Sequence, residues 1–236
     1  MLLQDHRIHN GGPAFYLNLP PVLRAHMKSH LDKRMEIYAA SGAEGFLVHT
    51  WDQAAWLRKR MPQMRLQGDA SLYTYNSSAV QTMADLGVDG TTLPVELNAR
   101  ELADRVKGEP LTSELIVYGY LPVMVSAQCV HRTVEGCDGK PGILQLTDRL
   151  HKRFTVRNCC RYCFNVIYNT EPLSLLDLGR QWNGWGLEAL RLQFTLESEK
   201  ETRQLLDACL ADLQMGRSVD NPLTSFTRGH FKRGVE

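Results

Sequence analysis

Between residues 14 and 126, short apolar runs alternate with amphipathic stretches, and that alternation leaves few architectures open. Residues 14–19 (AFYLNL), 45–49 (GFLVH), 64–72, 87–97 and 115–125 (LIVYGYLPVMV) read as strands. Between them, residues 31–40 and 52–59 read as helices, as does a segment capped by Ser77 or Ser78 that runs to Leu86. A further helix, ELADRVK, is capped by Asn98. Strands that alternate with helices pair in parallel through right-handed crossovers. A doubly wound sheet or a piece of a (β/α)₈ barrel meets that demand. No G-x-G-x-x-G follows any of the strands, which weakens the dinucleotide-binding version.

The strand ends are polar: Asn18, His49, Asp69, Asn76, Glu96 and Ser126. In a barrel these positions form the active face. A later strand at 190–196 (LRLQFTL) and a helix at 199–213 add another unit. The expected fold class is α/β: a partial (β/α) barrel of about five to six parallel strands with an inserted Cys-rich β-hairpin. Three segments are expected: βα repeats over 1–128, a metal- or cluster-binding insertion over 129–170, and a final βα unit with a basic tail over 171–236.

Cysteine placement is the second constraint. The first 128 residues contain none, and five of the six fall between Cys129 and Cys163. Cys129 and Cys137 are separated by seven residues, a spacer of 22 follows, and Cys160 and Cys163 form a C-x2-C pair. A C-x2-C turn points two thiolates at one centre, and the spacer, a hairpin turning near residues 148–151, can bring the first pair over. Zinc and a [4Fe–4S] cluster both fit four thiolates. Cys159 rivals Cys160 for the third position, and Cys209 lies in an apolar helical stretch and reads as core. With no secretory layout in MLLQDHRIHNGGP, the expected location is the cytoplasm, where thiols stay reduced.

The net charge of +1 gives no bulk argument for nucleic acid or membrane, and no apolar run reaches the roughly 20 residues of a membrane span. Local clustering does give one. Arg149, Lys152, Arg153, Arg157 and Arg161 crowd the hairpin, with Tyr162, Phe164 and Tyr168 interleaved, a pattern suited to holding phosphates and stacking a base. A solvated hairpin face is the plain alternative. The tail adds Arg228, His230, Lys232 and Arg233, again as phosphate contacts or a solvated end. Hydrolytic motifs are missing: there is no G-x-S-x-G, H-E-x-x-H or Walker A loop. Cys129 with His131 is a conceivable nucleophile and base.

The segments GDASLYTYNSSA, LPVELN, YGYLPVMVSAQCVHRT, CRYCFNVIYNTEPLSL, LRLQFTLES and FTRGHFKRGVE resemble the peptidase U32 family, in particular the C-terminal half of its long, collagenase-like members. The resemblance implies one of two activities. One is the collagen-degrading peptidase of the family name. The other is an iron–sulfur protein for oxygen-independent hydroxylation of a tRNA or rRNA nucleobase, with prephenate as co-substrate. It further implies Cys129, Cys137, Cys160 and Cys163 as cluster ligands and RNA as partner; the strand-end residues Asp69, Asn76 and Glu96 are expected to line the pocket, with His131 as the other candidate catalytic side chain. The long members carry a further N-terminal half, so a partner chain or such a half is expected to complete the barrel. A non-catalytic, zinc-stapled subunit is the third reading.

Overall fold

The computed structural model describes residues 15–134, 136–215 and 220–235. The chain divides into two compact units, one of residues up to Thr92 with Pro110–Thr112, the other of Leu93–Glu109 with the residues from Ser113 on.

In the first unit, strands β1 (Tyr16–Asn18), β2 (Gly45–Val48), β3 (Arg65–Gly68) and β4 (Gly90–Thr92) lie side by side in that order. Each pairs in parallel with the next. Helices α1 (Ala25–Asp32), α2 (Met35–Ala40), α3 (Trp51–Arg60) and α4 (Ser77–Asp85) supply the crossovers. Phe46 and Val48 of β2 and Leu66 of β3 are fully or almost fully buried with Ala54 and Leu57 of α3 and Val80 and Met83 of α4. Parallel strands covered by helices read as near-continuous apolar runs, as GFLV does. Gly45 is required at its position, because a side chain there would run into the Arg65 carbonyl oxygen and the Tyr16 ring.

Several boundaries differ from the sequence reading. The first helical region begins at Ala25 and breaks at Lys33-Arg34. HMKSHLD has no apolar period to announce it, and Leu31 is its one buried residue. Past Gly68 the third strand gives way to a turn of 3₁₀ helix at Ala70–Leu72, because the Asp69 carboxylate accepts the Ser71 N–H and curls the chain. Asn76, rather than either serine after it, caps α4 by accepting the Ala79 N–H at 2.9 Å.

In the second unit, β5 (Thr112–Gly119), all but its first residue in this unit, pairs in parallel with β11 (Ala189–Gln193) and antiparallel with β10 (Leu173–Ser174). The expected single strand over 115–125 is two strands. It breaks between Gly119, whose φ is 148°, and Pro122. A side chain at Gly119 would lie 2.5 Å from the Gln193 carbonyl oxygen. From Pro122 the chain enters a four-stranded antiparallel sheet, ordered β6 (Pro122–Ser126), β9 (Phe164–Tyr168), β8 (Arg153–Cys159), β7 (Gly142–Thr147). The hairpin is therefore the outer half of a complete sheet, and Cys159 is the one cysteine within its strands. The α6 helix (Val130–Val134) follows β6.

Helix α5 (Ala99–Val106) starts with a capping box between Asn98 and Glu101. The long helix α8 (Glu199–Met215) has the same reciprocal pair in Ser198 and Glu201. The basic tail is packed against this unit. Phe231 is buried against Trp182 of α7 (Gly179–Trp182) and stacks on Trp185. Arg228 donates to both carboxylate oxygens of Asp177 and to the Ser174 carbonyl. Arg228 is thus committed to an internal ion pair rather than to an outside phosphate.

That pair generates a stability prediction. Hydrogen bonds from Arg228, then Asn221, hold the Asp177 carboxyl below its usual range despite partial burial. A depressed carboxylate stabilises the fold above its ordinary pKa, and the contribution fades as pH falls through the lowered value. Asp177→Asn is expected to lose roughly 2 kcal/mol at pH 7. In urea unfolding, its difference from the unaltered protein should shrink below about pH 4.

Candidate functional site

The C-x2-C pair lies where β8 turns into β9. Cys159 is paired opposite Phe164, so residues 160–163 are the whole turn. The Tyr162 N–H donates to the Cys159 carbonyl at 3.0 Å and the Cys163 N–H to the Cys160 carbonyl at 3.2 Å. Cys163 holds a left-handed φ of 55°. Both thiols consequently sit at the two ends of a tight, backbone-bonded loop. The Cys160 thiol donates to the Lys140 carbonyl at 2.8 Å, drawing the loop that contains Cys137 over the turn.

Cys129 reaches the same region from β6. Its carbonyl accepts the Thr133 hydroxyl at 2.9 Å, and the Arg132 N–H points at its sulfur at 3.4 Å. The preceding carbonyl, that of Gln128, accepts the side-chain N–H of Asn165 at 2.8 Å, and Asn165 is fully buried in β9. Asn165 lies across from buried Asn158 of β8, and among the described residues the carboxamide oxygens of both lack a hydrogen-bond partner. Polar acceptor capacity is therefore left over directly behind the turn.

Burial pushes the Cys160 thiol up, and Cys129, Asp138, Cys137 and Cys163 add to it in that order. The four thiols singled out by spacing are thus electrostatic neighbours. Cys159 has different surroundings: burial raises its thiol, Arg157 opposes the shift, and Cys160 adds to it. Cys137 and Cys163 are exposed, Cys129 and Cys160 half-buried, and Cys209 is buried. Among the described residues no three His, Cys, Asp or Glu side chains are closed on one point as metal ligands. By donor chemistry, four neighbouring cysteine sulfurs are the ligand type that a zinc or iron–sulfur centre takes. His131 stands beside them, its Nδ1 3.8 Å from an oxygen of Asp138, which follows Cys137.

The basic residues flank this region. Asp148 ties the hairpin turn by accepting the N–H groups of Leu150 and Lys152, each at 2.8 Å, and His151 takes a φ of 61°. Arg149, Lys152, Arg153, Arg157 and Arg161 are all exposed. Arg153 and Arg157 share a face of β8, as residues four apart on a strand must. Arg161 lies over the Tyr162 ring at 5.8 Å. The other two interleaved aromatics serve the interior instead: Phe164 and Tyr168 are buried.

In the first unit, the ends of β1, β2 and β3 assemble a polar cluster that the sequence marks only as separate strand-end residues. His49 Nε2 lies 2.7 Å from Asn18 Oδ1, and its Nδ1 lies 3.2 Å from Asp69 Oδ2. The backbone N–H of His49 is held by Gln53, whose amide donates to the Pro20 carbonyl. Ser71 Oγ is 3.5 Å from the same Nδ1 that faces Asp69. A hydrolytic triad needs serine and carboxylate on opposite ring nitrogens. Here the far nitrogen faces Asn18, so this cluster is not arranged as a triad. Glu96 belongs to the second unit, in the partly buried loop before Asn98.

The sequence profile of peptidase family U32 matches residues 6–193. A comparison with curated proteins finds no match. Among solved structures, a chitinase from Chromobacterium violaceum is similar at 10% identity, over 79% of this chain and 73% of that one, with a TM-score of 0.29. Among the described residues no helix is long and apolar enough to cross a membrane.

Asn76 can act as a helix cap or as a chemical group, and substitution separates the two. Asn76→Ala is expected to cost about 1 kcal/mol of thermal stability. Asn76→Asp and Asn76→Ser, which also cap, should restore stability. If they restore activity as well, Asn76 acts through the helix it caps; if activity stays lost, its carboxamide is needed for chemistry.

Proposed function

The chain belongs to peptidase family U32, matched over most of its length, and on that premise we propose that it is an iron–sulfur protein serving oxygen-independent hydroxylation of an RNA nucleobase. The observation that carries the reading is the four-thiol neighbourhood of Cys129, Cys137, Cys160 and Cys163 around one backbone-bonded turn. These four would hold a [4Fe–4S] cluster, which supplies one-electron redox chemistry when bound. Prephenate is the co-substrate and source of the hydroxyl group: its C–O bond breaks as the base's C–O bond forms, and the two-electron oxidation of the base carbon is matched by reduction of the prephenate carbon, which takes up the displaced hydrogen.

The chain's own residues have distinct tasks in this reading. The exposed cations Arg149, Lys152, Arg153, Arg157 and Arg161 bind RNA phosphates, and Tyr162 offers a ring beside them. Cys159, in the surroundings of Arg157, stays outside the ligand set. His131, whose Nδ1 faces Asp138, serves as a further catalytic side chain. Asp69, Asn76 and Glu96 are the other chemistry-bearing side chains, with Asp69 working through His49.

Incubation of anaerobically prepared protein with RNA and prephenate tests the proposal, with nucleoside mass spectrometry as the readout. The expected product is a nucleoside heavier by one oxygen atom. Cys163→Ser should abolish it and bleach the protein, whereas Cys159→Ser should leave both colour and product. Gelatin cleavage without nucleoside hydroxylation, undiminished by Cys129→Ala, would hand the family's peptidase name to this chain instead. A colourless zinc protein with neither activity would identify the stapled subunit.

A further inference from the structure

The loop between β3 and α4 shows two tyrosine rings in an otherwise anchored segment. Leu72 and Thr74 are 4% and 1% exposed, whereas Tyr73 and Tyr75 between and beside them are 58% and 36% exposed. Thr74 is fixed by its hydroxyl contact with Thr91 at 3.2 Å, and the Tyr73 N–H donates to the Ala70 carbonyl. Asp69 caps the turn at one end, and Asn76 caps α4 at the other. The two outward rings lie 5.8 Å apart at 34°.

Tyr73 adopts a left-handed φ of 54°. A bulky aromatic residue is rare there, and backbone strain of that kind persists where the surroundings impose it, often at binding sites. Glycine or asparagine would fill the same turn at lower cost if the turn alone mattered. The strained position instead presents a phenol ring to solvent. The loop starts at Asp69, which belongs to the His49–Asn18 cluster of nitrogen and oxygen atoms at the strand ends. Two exposed rings held 5.8 Å apart, on a loop whose first residue, Asp69, joins the polar cluster at the strand ends, match the two needs of a planar heterocycle: a face to stack on and an edge to pair with.

We infer that the Tyr73–Tyr75 pair is a stacking platform for a nucleobase, with the His49, Asp69 and Asn18 cluster as the polar group facing its edge. The inference rests on the RNA reading above for its ligand source, an unpaired base in a strand, and a free nucleoside offers the same chemistry. Affinity is lost with the rings and not with the backbone charge, since stacking acts on bases and not on phosphates.

The test uses the full chain and the double variant Tyr73→Gly with Tyr75→Ala. Glycine keeps the left-handed turn, so thermal melting should show the variant as stable as the unaltered protein. Fluorescence anisotropy then compares a labelled single-stranded RNA with a strand of the same length carrying abasic sites. The expected result is about 10-fold weaker binding of the base-bearing strand by the variant, with abasic binding unchanged. Equal binding of both strands by both proteins would overturn the platform and leave the RNA reading standing. If the unaltered protein binds no RNA but binds nucleosides in equilibrium dialysis, and the variant does not, the platform stands and the RNA reading falls. Binding of gelatin peptides alone, lost in the variant, would also overturn the nucleobase assignment.

Discussion

The pairing of β8 with β9 across a four-residue turn is the interaction on which the thiol region depends. Its register sets Asn158 against Asn165 and Cys159 against Phe164, which leaves Cys160 and Cys163 at the corners of the turn. A slip of one residue would send every side chain of one strand to the opposite face. The buried Asn165 would then lose the Gln128 carbonyl, and Cys129, one residue further on, would lose its placement. One ladder thus positions three of the four thiols, and the Cys160 bond to the Lys140 carbonyl draws in the loop of the fourth.

The parallel strands of the first unit solve a different problem. The apolar run of β2 is consumed by the core, and the polar side chains Asn18, His49 and Asp69 come where β1, β2 and β3 end. Three such ends, at Asn18, His49 and Asp69, fall next to one another because β1, β2 and β3 are adjacent and in parallel register. Parallel pairing therefore converts three sequence positions, separated by crossovers, into one cluster. This is the physical reason that strand ends of α/β sheets accumulate chemistry.

Much of this was legible in the chain itself. The runs AFYLNL, GFLVH and LRLQFTL gave strands close to those found, and Asn98 announced α5 by its capping chemistry. The C-R-Y-C spacing implied a turn, and a turn is what stands there. What stayed hidden depends on tertiary contact. LIVYGYLPVMV is uniformly apolar, and only the close approach of Gln193 to Gly119 reveals that it serves two sheets. Phe164 and Tyr168 read as surface aromatics among cations, yet they lie on β9, an inner strand of its sheet that is buried along most of its length. The basic tail looked solvated because Asp177, its partner, lies 51 residues away in sequence. His49 and Asp69 were visible as strand ends, but their contact was not.

The central claim is that the four thiols serve a redox cluster, and the metal content of protein made and purified without oxygen tests it most directly. The account predicts a brown protein with about four irons and matching acid-labile sulfide per chain. It also predicts that Cys160→Ala removes the iron and that Cys159→Ala does not. One zinc per chain, without iron or sulfide, would contradict it.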